Sequence, residues 1–426
     1  MRPRQLPGAL TGAVAAIACV AAAAGCTPSA STPPPAAGLS GRGPITFMTA
    51  ADPSGGTDEL VQAWNTAHPD EKVTLLEQSS TSDQAHTALA QNFQARSDRV
   101  DVARINSVWT PEFAARGWIA EIPASAVDTG KIMPAPLSTG RFTGKTYAIP
   151  WFTDAGLLYY RTDLVSTPPK TWAELKQACA VAKANNIGCY AGQFAKYDGL
   201  TVNVSEAVAS AGGSVVDAGG TKATLDTPEA LDGVKFLVES FRDGTIPKAA
   251  ITYQEEDSRK AFMNGELLFL RNWPYVYNLA SKPGEGNKVA GKVGMAPLPG
   301  RSGAGKPALG GWNLAISSYS KHQETAADFV EFLVAPQQQR VLLTKLGLSP
   351  VLAELYKDAE LVKQYPYLEG LAKALDTAVP LPQSTNWAGL SLAVQESAYA
   401  ALQGSGTAED AVAKLQTAVT EALARQ

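Results

Sequence analysis

The stretch YAIPWFTDAGLLYYR, residues 147–161, contains two β-rich runs that follow each other almost directly, YAIPWF at 147–152 and GLLYYR at 156–161. Parallel neighbouring strands need a crossover connection, usually a helix, and none fits between these runs. A chain that runs extended for about 15 residues in this way is typical of a passage from one lobe to another. The stretch therefore predicts two lobes joined by an extended crossing.

On the N-terminal side of this stretch, short β-rich runs alternate with amphipathic segments. ITFMTA at 45–50, VTLLEQ at 73–78 and VDVARI at 100–105 are predicted strands. Helices are predicted near 57–67 and 83–96, between successive strands. This alternation indicates βαβ units, and so a parallel sheet covered by helices.

On the C-terminal side a second block alternates in the same way and predicts a second α/β lobe. Another extended run, ALGGWNLAISS at 308–318, is a candidate for a second crossing between the lobes. The remainder is mostly helical. The helices and the strand expected after residue 161 are 171–186, 202–211, 228–243, 257–264, the strand 266–271, 323–333 and 407–424.

Composition excludes several classes of protein. Lys and Arg total 36 against 40 Asp and Glu, so no basic excess exists to release counterions from nucleic acid, and DNA and RNA are excluded as partners. The three histidines lie far apart and the four cysteines form no CxxC pair, which argues against a metal site or another cofactor. A length of 426 residues allows two or three domains at about 150 residues each.

The N-terminus has the layout of a secretory signal. Arg2 and Arg4 precede an apolar run, residues 9–24, that ends in small residues. The alternative is a transmembrane helix, but the run is mostly Ala and Gly rather than Leu and Ile. We therefore expect a cleaved signal peptide at 1–25.

The end of that run, Ala23-Ala24-Gly25-Cys26, resembles a bacterial lipobox, in which the cysteine receives a diacylglyceryl group. The resemblance implies a lipoprotein anchored through Cys26 to the outer face of the cell membrane. Residues 26–43 are rich in Pro, Ser, Thr and Ala and cannot form a core, so we expect a disordered tether there.

Cys179 and Cys189 are the cysteines that remain in the folded body. Outside the cytoplasm disulfides persist, so we expect a bridge between the two. The alternative is a pair of free buried thiols.

Three tryptophans stand at predicted strand ends or turns beside polar residues or glycine, namely Trp151, Trp273 and Trp312. Side chains at such positions tend to face a cleft, and an indole face beside carboxylates and amides suits the C–H face of a sugar ring. The alternative is that these tryptophans belong to the core.

A glycoside hydrolase is a competing interpretation, because two carboxylates flank the bond in that reaction. Asp154 is the natural first carboxylate, and the second would be one of Asp52, Glu206 and Glu255. No paired-carboxylate signature is present, so we expect no enzyme and no catalytic residue.

Four segments carry a family resemblance, namely GKTYAIPWFTDAGLLYYRTDL at 144–164, PPKTWAELKQA at 168–178, AFMNGELLFLRNWPYVY at 261–277 and LGGWNLAISSYSKHQETAADFVEFL at 309–333. Together they resemble the solute-binding proteins of carbohydrate ABC importers, the maltose-binding type of extracytoplasmic lipoprotein. The likeness is greatest to the trehalose/maltose-binding proteins.

The resemblance implies a two-lobed periplasmic-binding-protein-like α/β fold, with hinge crossings near 151–157, near 309–315 and about Ser349. Each lobe is then discontinuous in sequence. The expected lobes are 44–152 plus 312–348 for the N-terminal one and 153–311 plus 349–426 for the C-terminal one.

The resemblance also implies site residues. Asp154 would accept hydrogen bonds from sugar hydroxyls, Trp273 and Trp312 would stack on the sugar, and Gly311 would offer its backbone. Asn106 stands where the family often has Asp, and Asp52 falls on a loop that offers polar contacts.

One further site residue follows from a departure from the family pattern. The family's C-terminal loop often carries an Arg, which is missing near Ala378. Gln383, Asn386 and Trp387 are the candidates to fill that space.

The implied function is capture of a disaccharide or short oligosaccharide, of trehalose or maltose type, by a monomer. The sugar would then pass to permease subunits that are powered by a separate ATPase. The alternatives are a secreted hydrolase, a surface adhesion or sensory module, and a binder of a polyol or phosphodiester.

Overall fold

The computed structural model describes residues 38–79 and 81–425. The predicted signal peptide, Cys26 and the first part of the predicted tether lie outside the described residues. The strands are β1 (Ile45–Ala50), β2 (Val73–Gln78), β3 (Val102–Asn106), β4 (Arg141–Phe142), β5 (Lys145–Thr146), β6 (Ala148–Ala155), β7 (Leu157–Arg161), β8 (Gly188–Ala191), β9 (Leu267–Asn272), β10 (Val293–Ala296), β11 (Ala308–Ile316) and β12 (Val379–Pro380).

Helices surround these strands. They are α1 (Gly56–Ala67), α2 (Ser82–Gln94), α3 (Thr110–Ala115), α4 (Pro134–Ser138), α5 (Trp172–Ala184), α6 (Asp198–Ala211), α7 (Pro228–Asp243), α8 (Glu255–Met263), α9 (Tyr275–Ala280), α10 (Gln323–Val334), α11 (Pro336–Val341), α12 (Ala359–Gln364), α13 (Tyr367–Thr377), α14 (Trp387–Leu402) and α15 (Ala408–Leu423). Short 3-10 turns occupy Ser107–Trp109, Lys248–Thr252 and Ala353–Tyr356, and a π turn occupies Leu342–Leu346.

Local sequence explains several helix ends. Thr171 and Glu174 form a capping box at the start of α5, and Thr407 does the same with Asp410 at α15. Each box satisfies backbone N–H groups that have no partner within the helix. The helix α7 ends at Gly244, whose φ of 81° is the left-handed conformation that glycine adopts without strain.

The first sheet has six strands. Its order is β12-β11-β3-β1-β2, and β6 also pairs with β11. The strands β1, β2 and β3 are parallel, whereas β11 runs antiparallel to β3 and to β6. The carboxyl ends of the three parallel strands therefore meet at one edge, where open α/β sheets usually bind ligands.

The second sheet has four strands in the order β10-β7-β9-β8. Only Gly156 separates β6, in the first sheet, from β7, in the second. The chain returns to the first sheet between β10 and β11. The two-lobed α/β fold is thus confirmed, and the predicted strands and helices before and after residue 161 are present. The run at 308–318, expected as a crossing, instead forms β11 within the first sheet, so the chain passes between the sheets before Ala308.

The residues that belong to each sheet differ from the lobe boundaries that the resemblance implied. The strand β6 stays in the first sheet as far as Ala155, so residue 152 falls inside this strand. Likewise, β12 pairs with β11 in the first sheet, through Ala308 opposite Val379, although residues 349–426 were assigned to the C-terminal lobe.

Aromatic side chains form the core on one face of the first sheet. Phe47 of β1 contacts Trp151 of β6 and Phe329 of α10 edge to face, with ring centroids 5.5 and 5.6 Å apart. Trp64 of α1 joins this cluster through Phe329. These contacts bury large apolar areas and fix α1 and α10 against the sheet.

The end of the predicted tether is folded onto the body. Backbone N–H groups of Gln323 and Glu324 donate to the carbonyls of Ser40 and Gly41. The guanidinium of Arg42 donates to Glu71 at 2.6 Å and also pairs with Asp328. The disordered tether was therefore predicted too long at its C-terminal end, because composition does not reveal a charge partner distant in sequence.

The disulfide between Cys179 and Cys189 is confirmed, with Cα atoms 5.1 Å apart. It ties α5 to the start of β8. Among the described residues, no helix combines the length and apolar character that crossing a bilayer requires.

Candidate ligand-binding cleft

A cleft of about 700 Å³ lies between elements of the two sheets. The first sheet and its loops contribute Thr49, Asp52, Arg104, Asn106, Trp151, Asp154 and Gly310 to Trp312. The second sheet and its helices contribute Tyr197, Asp198, Glu255, Glu256, Trp273 and Tyr275. The volume suits a small ligand, and the lining combines aromatic faces with carboxylates.

Trp312 lies on β11, opposite Asn106 of β3 in the antiparallel register. The guanidinium carbon of Arg104 lies 3.9 Å from the centroid of the Trp312 ring, and Trp109 meets the same ring edge to face at 5.5 Å. These two contacts hold the half-buried indole in one orientation at the cleft wall.

Trp273 follows β9 and is held in a similar way. The guanidinium carbon of Arg271 lies 4.1 Å from the Trp273 ring centroid. The backbone of Trp273 is fixed as well, because its carbonyl accepts from the Tyr159 hydroxyl at 2.9 Å and its N–H donates to the Asn272 side chain at 2.7 Å. Both cleft tryptophans are therefore backed by an arginine.

Arg271 itself is anchored in the interior. Its guanidinium donates two hydrogen bonds of 2.6 Å to Glu206 and one of 2.8 Å to Gln193. Glu206 also accepts from the backbone N–H of Ala308 at 2.9 Å. Glu206 is thus committed to structure and does not line the cleft, which removes it as the second carboxylate of a hydrolase.

Asp154 lies on β6 opposite Gly310 of β11 and is half-buried in the cleft. Its carboxylate accepts no hydrogen bond from the described residues. Burial raises the pKa of Asp154 to about 7, against a smaller lowering by the positive charge of Arg271. A ligand hydroxyl could donate to this acceptor without displacing a protein partner.

Two glycines let the main chain approach the ligand space. A Cβ on Gly310 would come within 2.9 Å of the Trp273 ring and 3.4 Å of the Asp154 Cβ. At Gly311, φ is +129° and a Cβ would lie 2.4 Å from the Phe152 carbonyl oxygen. Both positions therefore need glycine, and Gly310 brings Trp273 and Asp154 together.

The opposite wall carries acidic side chains with partners. Asp198, at the start of α6, accepts from the hydroxyls of Ser391 at 3.3 Å and Ser82 at 3.4 Å. Burial, followed by the negative charges of Asp83 and Glu255, raises the pKa of Asp198 to about 7.

Two tyrosines complete this wall. The Tyr197 hydroxyl donates to Glu255 at 2.7 Å, and the Tyr275 hydroxyl donates to Glu256 at the same distance. These carboxylates therefore orient aromatic rings along the cleft.

The structure brings together seven of the eight sequence-predicted ligand residues. Asp154, Trp273, Gly311, Trp312, Asn106, Asp52 and Trp151 all border the cleft, but the Trp151 side chain is only 1% exposed and packs in the core against Phe47. Trp387 does not, because it begins α14 and is only 2% exposed among core residues. Its indole fills space inside the protein and not the place of the missing arginine.

The side chains of two of these residues, Asp52 and Asn106, already form hydrogen bonds within the protein. The carboxylate of Asp52 accepts from Ser54 and from the N–H of Thr57, so it closes its own loop at the start of α1. Burial alone would raise the pKa of Asp52, but these hydrogen bonds lower it below its usual value. The Asn106 side chain accepts from the N–H of Val108 and caps the turn that follows β3.

The sequence prediction missed Arg104, Asp198 and the tyrosine pairs. Arg104 lies two residues before Asn106 on the same strand, so side-chain alternation would have placed both on one face. No comparable sequence signal exists for Asp198, because α6 reaches the cleft only through the tertiary fold.

The side chains that line the cleft suit a polar ligand that contains rings. Within residues 38–79 and 81–425, no group of three or more His, Cys, Asp or Glu side chains could hold a metal ion. The cleft offers two supported indole faces and an acceptor that lacks a protein donor.

Comparison with known proteins agrees with this geometry. A family model described as bacterial extracellular solute-binding protein matches residues 50–340. A probable ABC transporter-binding protein of Deinococcus radiodurans is 36% identical over 79% of this chain and 83% of its own. A maltotriose-binding protein of Pyrococcus abyssi is 28% identical over 68% of this chain and 63% of its own.

A solved structure is similar over nearly the whole body. Maltose-bound MalE3 of T. maritima superposes with a TM-score of 0.82 at 31% identity, covering 89% of this chain and 99% of that one. The sequence resemblance to a binding-protein family is thereby confirmed. The chain belongs to the family of bacterial extracellular solute-binding proteins.

Proposed function

We propose that this protein binds a disaccharide or short oligosaccharide, of the trehalose or maltose type, in the cleft and delivers it to an ABC importer. One observation carries the proposal: Trp273 and Trp312 each present an arginine-backed indole to the same cleft, next to Asp154. Indole faces cover the apolar C–H face of a sugar ring, while a free carboxylate accepts its hydroxyl hydrogens.

Binding would be coupled to movement of the two lobes. A ligand that contacts Trp312 on the first sheet and Trp273 beside the second stabilises the closed arrangement by its greater affinity for that form. The permease would then recognise the closed form. Hinge movements near Gly156 belong to this proposal, with lobes that follow the expected bounds except that β6, as far as Ala155, and β12 lie with the first sheet.

The partners follow from the same proposal. The protein would act as a monomer, held at the outer face of the membrane by a lipid on Cys26 after removal of residues 1–25. A saccharide is the small-molecule partner, and permease subunits with a separate ATPase are the protein partners. Family membership and the names of the relatives above support the saccharide and the transporter subunits as partners.

We further propose that the protein has no hydrolase activity. Of the three carboxylates considered as a second catalytic group, Glu206 is paired with Arg271, Glu255 accepts from Tyr197, and Asp52 closes its own loop. A saccharide incubated with the protein should therefore be recovered intact. Release of monosaccharide in proportion to protein concentration would contradict this proposal.

The binding proposal is tested by a thermal-shift screen of residues 27–426 against trehalose, maltose, sucrose, cellobiose and maltotriose. A ligand present at 100 times its Kd adds about 2.7 kcal/mol to the free energy of unfolding, which raises Tm measurably. A raised Tm with at least one saccharide, reduced by Trp312→Ala, is the expected result. No shift with any of these saccharides, nor with acidic derivatives of trehalose, maltose and cellobiose added to the same screen, would contradict the proposed function.

A further inference from the structure

Arg104 is a charged cleft side chain that has no polar partner among the described residues. It lies on β3, lines the cleft and is half-buried. Its side chain forms no ion pair or hydrogen bond with any residue in 38–79 or 81–425, and its Nε atom is buried without an acceptor. The guanidinium carbon lies 3.9 Å from the Trp312 ring centroid, but this contact gives the Nε–H no hydrogen-bond acceptor.

Arg271 also contacts a cleft tryptophan, and it shows which partners a structural arginine has in this protein. Its guanidinium makes two bonds to Glu206, one to Gln193 and a contact with Trp273. Glu206 compensates its charge, and both side chains are almost fully buried. Arg104 has the ring contact without the carboxylate, so its charge lacks the compensation that buried charges require.

Trp151 adds a second donor without an acceptor on the same side of the sheet. Its Nε1 atom is buried and unpartnered, and the residue lines the cleft. Trp151 contacts Phe47, which is paired with Val102 in the register of β1 and β3. Val102 and Arg104 are two residues apart on β3, so they share one face of the sheet. The unsatisfied donors of Trp151 and Arg104 therefore belong to the same face.

The polar neighbours of Arg104 do not supply the missing acceptor. Asn106, two residues along β3, is uncharged and directs its side-chain oxygen to the N–H of Val108. Asp52 gives its oxygens to Ser54 and Thr57. Asp154 interacts electrostatically with Arg271. Burial without a compensating anion lowers the pKa of Arg104 to about 9, so the side chain is still charged at neutral pH.

We propose that the natural ligand is an acidic saccharide, and that Arg104 binds its carboxylate or phosphate group while Asp154 binds its hydroxyls. This inference rests on the proposed function, since it names the class of saccharide. A carboxylate or phosphate only accepts hydrogen bonds and matches the guanidinium fork in charge and in geometry. A neutral sugar hydroxyl can also accept from the guanidinium, but it carries no charge to compensate that of Arg104.

The test compares matched neutral and acidic sugars by calorimetric titration of residues 27–426. The pairs are trehalose with trehalose 6-phosphate, maltose with maltobionate, and cellobiose with cellobiouronate. At least one acidic sugar should bind ten-fold or more tightly than its neutral counterpart, and the pair that shows this distinguishes phosphate from carboxylate. Neutral sugars that bind as tightly as all their acidic counterparts would overturn the inference and leave the proposed function intact.

Arg104→Met separates a ligand-binding role from a structural one. The variant should lose the ten-fold preference for the acidic sugar, while its Tm without ligand stays equal or rises because an uncompensated charge has been removed. A lowered Tm with an unchanged preference would overturn the inference. Arg116→Gln is the matched control, because Arg116 also lies over a tryptophan, Trp118 at 5.1 Å, but outside the cleft.

Discussion

Glu206 and Arg271 form a buried ion pair through two hydrogen bonds of 2.6 Å, and this pair supports the cleft residue Trp273. The Arg271 guanidinium lies 4.1 Å from the Trp273 ring centroid. Gly156, between the two sheets, makes room for the pair, since a Cβ there would lie 2.0 Å from a Glu206 oxygen. The buried ion pair therefore lies against both the crossing at Gly156 and the cleft residue Trp273.

Glu206→Gln should reduce the free energy of unfolding by about 3 to 5 kcal/mol, because it leaves the Arg271 charge buried without its partner. Urea denaturation followed by circular dichroism measures this change. Glu396→Gln is the control, since its pair with Lys196 is exposed and should contribute less than about 1 kcal/mol. Equal effects of the two substitutions would contradict a structural role for the Glu206 pair.

Trp273→Ala and Trp312→Ala should each weaken saccharide binding by about 1 to 3 kcal/mol, the range measured for other stacked aromatic side chains. Trp387→Phe, a core change outside the cleft, should leave affinity unchanged. Calorimetric titration compares the three variants with the wild type. Full affinity in both alanine variants, or a loss of affinity in Trp387→Phe, would refute the assignment of Trp273 and Trp312 as the stacking residues.

Gly310→Ala should weaken ligand binding, because the new methyl group must displace the Trp273 ring from its position 2.9 Å away. Gly303→Ala is the matched control, since no atom lies within 4 Å of a Cβ at that position. Affinity for the same saccharide is measured for both variants. If both variants bind the saccharide with equal affinity, binding does not depend on the position of the Trp273 ring.

Acidification from pH 8 to pH 5 should stabilise the ligand-free protein and weaken ligand binding. Burial raises the pKa of Asp154 and of Asp198 to about 7, whereas an unfolded Asp titrates near 3.9. Between these values the folded state holds protons that the unfolded chain has lost, so the contribution of both groups to stability falls as pH rises.

Ligand binding has the opposite pH dependence, because a hydroxyl donates best to the ionised form of Asp154. Thermal melts and calorimetric titrations at several pH values measure the two trends. Asp154→Asn should remove most of the change in affinity, and Asp198→Asn should reduce the change in stability. Affinity that is constant from pH 8 to pH 5 would show that the Asp154 carboxylate does not contact the ligand.

The strands and the cleft aromatics were predictable because local sequence determines them. The adjacent runs at 147–152 and 156–161 leave no room for a helix, so the passage between sheets at Gly156 follows from spacing alone. Trp273 and Trp312 were predictable from their positions at strand ends beside polar residues or glycine. The disulfide was predictable from compartment and from the two cysteines left in the body.

Long-range pairing was not predictable in the same way. Glu206 looked available for catalysis, and only the tertiary fold brings it to Arg271, 65 residues later in the chain. Trp387 was predicted as a candidate for the space of the missing arginine, because nothing near it in sequence reveals that α14 turns it into the core. The charge of Arg104 is visible in the sequence, but its missing partner is a property of the folded cleft.

The most direct test of saccharide binding in this cleft is a crystal structure of residues 27–426 with the saccharide that raises Tm most. We predict sugar rings on the faces of Trp273 and Trp312, with a hydroxyl within hydrogen-bond distance of Asp154. A saccharide bound elsewhere, with both indole faces unoccupied, would contradict the assignment of this cleft as the binding site.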